Sequence, residues 1–168
     1  MSSPSYDIIE MLEAAVSPAK LLFSVWEYLS LCDYSKLYGE ERVVLDAWNF
    51  DSAFGNGIND IIANENYDVL ANGIRAMRVL GVPRLLEFID ILERTFRASG
   101  IDLNSADSIA TVDSLSRSQR ARLRTDLEMA EAPYLEDFWQ AGVLTLATHN
   151  YLLSNLSVFK KRKQGGGY

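Results

Sequence analysis

Apolar residues recur every three to four positions along most of this chain, and no stretch alternates strictly between apolar and polar. The pattern therefore predicts helices and no half-buried sheet. Ile8, Ile9, Leu12 and Val16 mark a first short helix over 6–16. Ser17 and Pro18 supply a cap and a first-turn proline for a second, with Leu21, Leu22, Val25, Leu29 and Cys32 on its stripe. A third, over 39–54, carries Val43, Ala47, Phe50 and Phe54, widened by Val44 and Trp48. Its other side holds Asp46 and Asn49, which are expected to face water or a partner.

The stretch "FGNGIND", residues 54–60, then sets a turn between two amphipathic segments. Gly57 accepts positive φ without steric cost and Asn56 tolerates it, while Asp51 and Asn64 are placed to satisfy backbone groups at a helical elbow. A short helix closes near Asn64, and the next carries Tyr67, Leu70, Ile74 and Met77 before a left-handed cap at Gly81. Pro83 starts another, with Leu85, Phe88, Ile89, Leu92 and Phe96 inward and the pairs Asp90–Arg94 and Glu93–Arg97 outward. Residues 98–114, rich in Ser, Asp and Asn, read as an irregular surface connection. Ser116 and Gln119 form a capping box, and their helix is expected to break or kink at Pro133. A final helix from 134 carries Leu135, Phe138, Trp139, Gly142, Val143, Leu146 and Leu153. It either completes a monomer core or makes a homodimer contact.

The fold class that follows is all-α: a single-domain irregular bundle of six to eight helices over 1–159, followed by a basic, glycine-rich tail at 160–168. With 168 residues, such a domain buries roughly two thirds of its unfolded surface. No window approaches the roughly 18 charge-free apolar residues of a membrane span. The amino terminus, "MSSPSYDIIEMLEAAV", is acidic where a secretory signal is basic, so the chain reads as cytoplasmic.

Charge changes the picture once the tail is set apart. Four of the 16 basic residues form "KKRK" at 160–163, leaving 12 against all 23 acidic residues in 1–159, a net charge near minus 11. A body this acidic repels nucleic acid and anionic membrane and attracts basic protein surfaces.

Candidate chemistry is sparse. Cys32 and His149 are the only cysteine and histidine and lie far apart. Cys32 reads as a small core residue, and His149, in "LATHNYLL", as a surface or half-buried helix residue. Asp46, Asp51 and Asp60 have no histidine near them and match no calcium loop, and no phosphate- or dinucleotide-binding motif is present. No catalytic residue, cofactor or metal site is assigned.

The stretch from "VVLDAWNFDSAFGNGINDIIANENYDVL" to "RLLEFIDILERTF", covering about residues 40–97, resembles the DMP19-like (DUF4375) family. The resemblance rests on Phe50 and Asp51, on Asn56 and Gly57, and on Asn64. Where that family has asparagine followed by two glycines, this chain has Gly55, Asn56, Gly57 and Ile58. The resemblance implies a helical protein and, from the family's best-known activity, DNA mimicry, in which an acidic surface occupies the DNA-binding site of a transcription factor. Other relatives are associated with toxin or immunity genes.

A mimic needs rows of carboxylates on a rigid face, since duplex DNA carries one charge per roughly 1.7 Å of axis. Asp126, Glu128, Glu131, Glu136 and Asp137 supply five acids in twelve positions, and Asp46 and Asp60 add candidates on earlier helices. Arg117, Arg120, Arg122 and Arg124 precede them and are expected either to be offset by acids of another helix or to form a separate anion-facing patch. The expected function is that of an acidic, non-enzymatic interaction domain that binds a basic protein, as a DNA mimic blocking a DNA-binding protein. The alternatives are a toxin-neutralising immunity protein and a ligand-binding protein or enzyme using a pocket at 51–60.

Overall fold

A computed structural model describes residues 7–103 and 112–161. Where its helices begin follows from local chemistry. The Asp7 carboxylate accepts the Ile9 N–H ahead of α1, Ile8–Ala14. Ser17 Oγ accepts the Lys20 N–H, and Pro18 occupies the first position of α2, Pro18–Leu29. A 3-10 turn at Tyr34–Lys36 leads into α3, Gly39–Ala53, where the Glu41 carboxylate reaches back to the Tyr38 N–H. A second 3-10 turn, Phe54–Asn56, joins α3 to α4, Ile58–Ala63. Then come α5, Tyr67–Leu80, closed by left-handed Gly81, and α6, Pro83–Ala98, opened by its proline. The Ser116–Gln119 capping box starts α7, Arg117–Trp139. Two further helices follow, α8, Val143–Ser154, and α9, Leu156–Lys161.

Among the described residues there is no strand, and the architecture is an all-α, single-domain irregular bundle. The described residues form nine α-helices, two of only six residues, with a further helical turn at 112–114. The expected break at Pro133 is absent, because α7 runs through it to Trp139. Proline cannot donate to the carbonyl four residues earlier, that of Met129, and Met129 is 65% exposed, so water is at hand for that carbonyl. The boundary falls instead at Gly142, where φ is +62°. The basic run also begins inside a helix: Phe159 is fully buried and α9 includes Lys160 and Lys161. Residues 162–168, and 104–111 of the irregular connection, lie outside the described residues.

Two apolar clusters share α3 and α8. The larger centres on five rings. Phe50 and Phe54 stack at 5.4 Å, and Phe54 lies 4.9 Å from Phe138 and 5.4 Å from Phe88. Phe88 in turn lies 5.0 Å from both Tyr134 and Phe138. The smaller joins Ile8, Leu22 and Val25 to Val44, Leu152 and Phe159. α3 serves both, Ala47 and Phe50 facing one and Val44 and Leu45 the other. This overturns the expectation of a watery side for α3. Asp46 is 8% exposed and accepts the Tyr34 hydroxyl at 2.8 Å, and half-buried Asn49 accepts the Trp26 indole N–H at 2.8 Å.

Candidate functional site

The sequence points first to the acids of α7, and the structure neutralises most of them locally. Asp126 pairs with Arg122 at 3.6 Å and Glu128 with Arg124 at 3.1 Å, each four residues apart on the same helix. Arg122 and Arg124 are thus offset by acids of their own helix, with Arg120 turned to the carbonyls of Asp113 and Leu115. Asp137 pairs with Arg84 of α6, which also bonds Glu87 at 2.8 Å and lies 4.2 Å over the Tyr134 ring. Hydrogen bonds from Arg84 and then Tyr134 hold the Glu87 carboxyl below the ordinary glutamate range. Glu136 is exposed and makes no ion pair with any described residue. On α6, the expected Asp90–Arg94 and Glu93–Arg97 pairs are replaced: Arg94 bonds the Asp90 carbonyl, and Glu93 pairs with Arg78 of α5.

Glu131 departs furthest from its expected place on an exposed face. It is 5% exposed, and its Oε2 accepts the Ile58 N–H at 2.7 Å. It is the cap that α4 lacks locally, supplied from 73 residues away because Gly57 has no side chain to offer. Burial pushes its carboxyl above the ordinary range, with the Ile58 hydrogen bond opposing. Asn59 adds bonds to the Arg124 carbonyl and the Glu128 carboxylate, and Asp60 receives Asn56 at 3.5 Å. The elbow is thereby docked onto α7.

Its backbone explains the glycine. Gly57 has φ +88°, and a Cβ there would stand 2.4 Å from Glu131 Oε1. Asn56 does not use the left-handed conformation, whereas Glu65, just beyond α4, does, at φ +56°. Asn64 bonds the Asp60 carbonyl at 2.9 Å, as an elbow-satisfying residue would. Asp51 does not serve the elbow. It accepts the Thr145 hydroxyl at 2.9 Å, and burial raises its carboxyl.

The polar residues of the expected pocket at 51–60, Asp51, Asn56, Asn59 and Asp60, are accordingly divided. Asn56, Asn59 and Asp60 line one cleft of about 450 Å³ with Arg124 and Glu131, while Asp51 lines another with Trp48 and Thr145. Phe50, Phe54 and Ile58 are fully buried beneath the elbow. Asp46, Asp51 and Asp60 do not converge, and no group of three or more His, Cys, Asp or Glu among the described residues is placed to hold a metal ion. His149 is half-buried on α8, and Cys32, half-buried against the smaller cluster, donates to the Tyr28 carbonyl at 3.5 Å.

A different surface combines unneutralised acid with uncovered apolar area. Between α1 and α2 runs a groove of about 560 Å³. Val16 and Leu31 line it at 89% and 79% exposure, with Met11, Ala14 and Tyr28 between them. Glu10 and Glu27 stand on its edge, exposed and outside every ion pair of the described residues, and Lys20 is the one base lining it. Periodicity placed Val16 with the core stripe of the first helix, but α1 ends at Ala14, so Val16 lies in the linker and points away from it. The available signal was the spacing 20, 24, 27, 28 on α2, a second stripe beside the buried one at 21, 22, 25 and 29, which Leu31 continues beyond the helix. No helix of the described residues is long and apolar enough to cross a membrane.

Compared with models of protein families, with curated proteins and with solved structures, the chain matches none.

Proposed function

We propose that the protein is a non-enzymatic acidic docking domain that binds a basic protein surface, competing with DNA where that partner is a DNA-binding protein. The observation that carries this reading is the uneven neutralisation of its acids. Those of α7 are largely paired with arginine or buried. Exposed Glu10, Glu13 and Glu27 on α1 and α2 have no such partner among the described residues. Carboxylates left unpaired in this way favour encounter with a cationic partner and disfavour nucleic acid. The resemblance of residues 40–97 to the DMP19-like family, with its DNA-mimic members, supports the same class of partner.

The test is capture of partners by the tagged full chain from its native lysate at low and at high salt, with duplex DNA as competitor. A basic DNA-binding protein released by salt and displaced by DNA is the expected result. A basic partner that DNA does not displace assigns the toxin-neutralising role. Recovery of no macromolecule at either salt concentration refutes the reading.

A further inference from the structure

The geometry points to the α1–α2 groove as the docking site for one amphipathic helix of the partner, apolar along one stripe and carrying Lys or Arg at its flanks. This inference rests on the reading of the protein as a docking domain for a basic protein, and adds the site and the form of what binds.

Three observations favour a helix with basic flanks. The groove walls are themselves helical stripes. On α1 the lining positions are 10, 11 and 14, flanked by Asp7 and Ala15, and on α2 they are 20, 24, 27 and 28, with Leu31 just beyond its end. Two helices that meet along such stripes leave a trough that a third helix fills, as in helix-in-groove recognition. Its shorter wall, α1, has seven residues, or about 10 Å, room for some two turns of a partner.

Next, the floor is apolar and uncovered. Val16 and Leu31 at opposite ends, with Met11 and Ala14 between, offer sites for apolar side chains spaced three and four apart. Side chains as exposed as Val16 and Leu31 contribute little to holding this fold, so their substitution separates binding from folding.

Finally, the edge is acidic. Glu10 on α1 and Glu27 on α2 flank the floor, and a cationic stem laid along either wall covers apolar surface while its head meets a carboxylate. A negatively charged helix, or a lipid surface with anionic headgroups, meets the wrong sign of charge at the same edges.

The experiment uses the full chain and two synthetic 18-residue helical peptides with the same leucine stripe, one bearing lysine and arginine on its flanks and the other glutamate. Binding is followed by titration calorimetry and by backbone amide shifts. The basic peptide is expected to bind, with shifts confined to α1 and α2, and the acidic peptide is not. Leu31→Lys is expected to lower affinity about tenfold to a hundredfold, the equivalent of one unburied leucine with a charge in its place. Glu10→Gln with Glu27→Gln is expected to lower it roughly tenfold at low salt and little at high salt. Glu128→Gln with Glu136→Gln on α7 leaves it unchanged.

Circular dichroism melts of each variant confirm that the fold is retained. Equal binding of both peptides, or shifts centred on α7, overturns the inference, as does a mass in sedimentation showing a dimer that Leu31→Lys dissolves. Binding that appears only after removal of residues 162–168 also overturns it, since the basic tail would then be the occupant. If lysate capture yields a basic partner whose binding survives Leu31→Lys, the groove assignment falls and the function stands. If capture fails altogether, the function falls first.

Discussion

At the scale of single residues, the contact between Gly57 and Glu131 organises the elbow. An alanine at 57 meets two obstacles at once, the left-handed backbone at φ +88° and the Glu131 carboxylate at 2.4 Å. Gly57→Ala is expected to destabilise the protein by about 2–3 kcal/mol, read from the urea midpoint, since either conformational strain or loss of the α4 cap follows. A shift smaller than that of an ordinary surface substitution would show that the elbow relaxes freely.

Glu131 also makes stability depend on pH. Burial raises its folded-state pKa above the unfolded one, so the native state holds the proton more readily. Stability therefore rises on acidification from neutrality through the folded pKa and is fully gained below the unfolded value. Buried Asp46 and half-buried Asp51 act with the same sign. Glu87 acts oppositely, its contribution being lost only as pH falls below the ordinary glutamate range. Glu131→Gln keeps an acceptor for the Ile58 N–H but cannot titrate, so its melting temperature should climb less on acidification from neutrality to the ordinary glutamate range. Superimposable profiles for the two proteins would assign the effect elsewhere.

Between elements, the decisive contact is that of α3 with α5, the most extensive helix pair among the described residues. Gly73 allows it, because a Cβ at that position would meet Phe50 at 2.5 Å. Two effects compete in Gly73→Ala. Helix propensity favours alanine by about 1 kcal/mol, whereas overpacking a filled core costs about 1–3 kcal/mol. Phe50 is fully buried and stacked on Phe54, so it has nowhere to retreat and the clash prevails. A net loss of about 1–2 kcal/mol in chemical denaturation is expected, and a gain would show that α5 shifts away without cost. Gly73 was hidden in the sequence, where a mid-helix glycine signals close approach without naming the neighbour. The starts of α2, α6 and α7 were legible because Ser17 with Pro18, Pro83, and Ser116 with Gln119 act within one turn.

For the whole molecule, α3 and α8 tie both apolar clusters into one cooperative unit. Leu144 belongs to the larger and Leu152 to the smaller, two turns apart on one helix. Unfolding is therefore expected as a single transition, with far-UV ellipticity and indole fluorescence, to which Trp26 and Trp48 beside the smaller cluster contribute, sharing one midpoint. Separate midpoints would mean that α1 and α2 unfold on their own. The sequence by itself determined the helical class, most helix boundaries, the acidity of residues 1–159 and the turn at Gly57. These follow from short-range sterics, capping and composition. Only tertiary structure decided which acids are free. Glu131 and Asp46 look like surface carboxylates in the chain and are buried against Ile58 and Tyr34, while Val16 looks like core and stands in solvent. A carboxylate's role depends on what packs over it, and those partners lie 12 residues away for Asp46 and 73 for Glu131, beyond the reach of any local period.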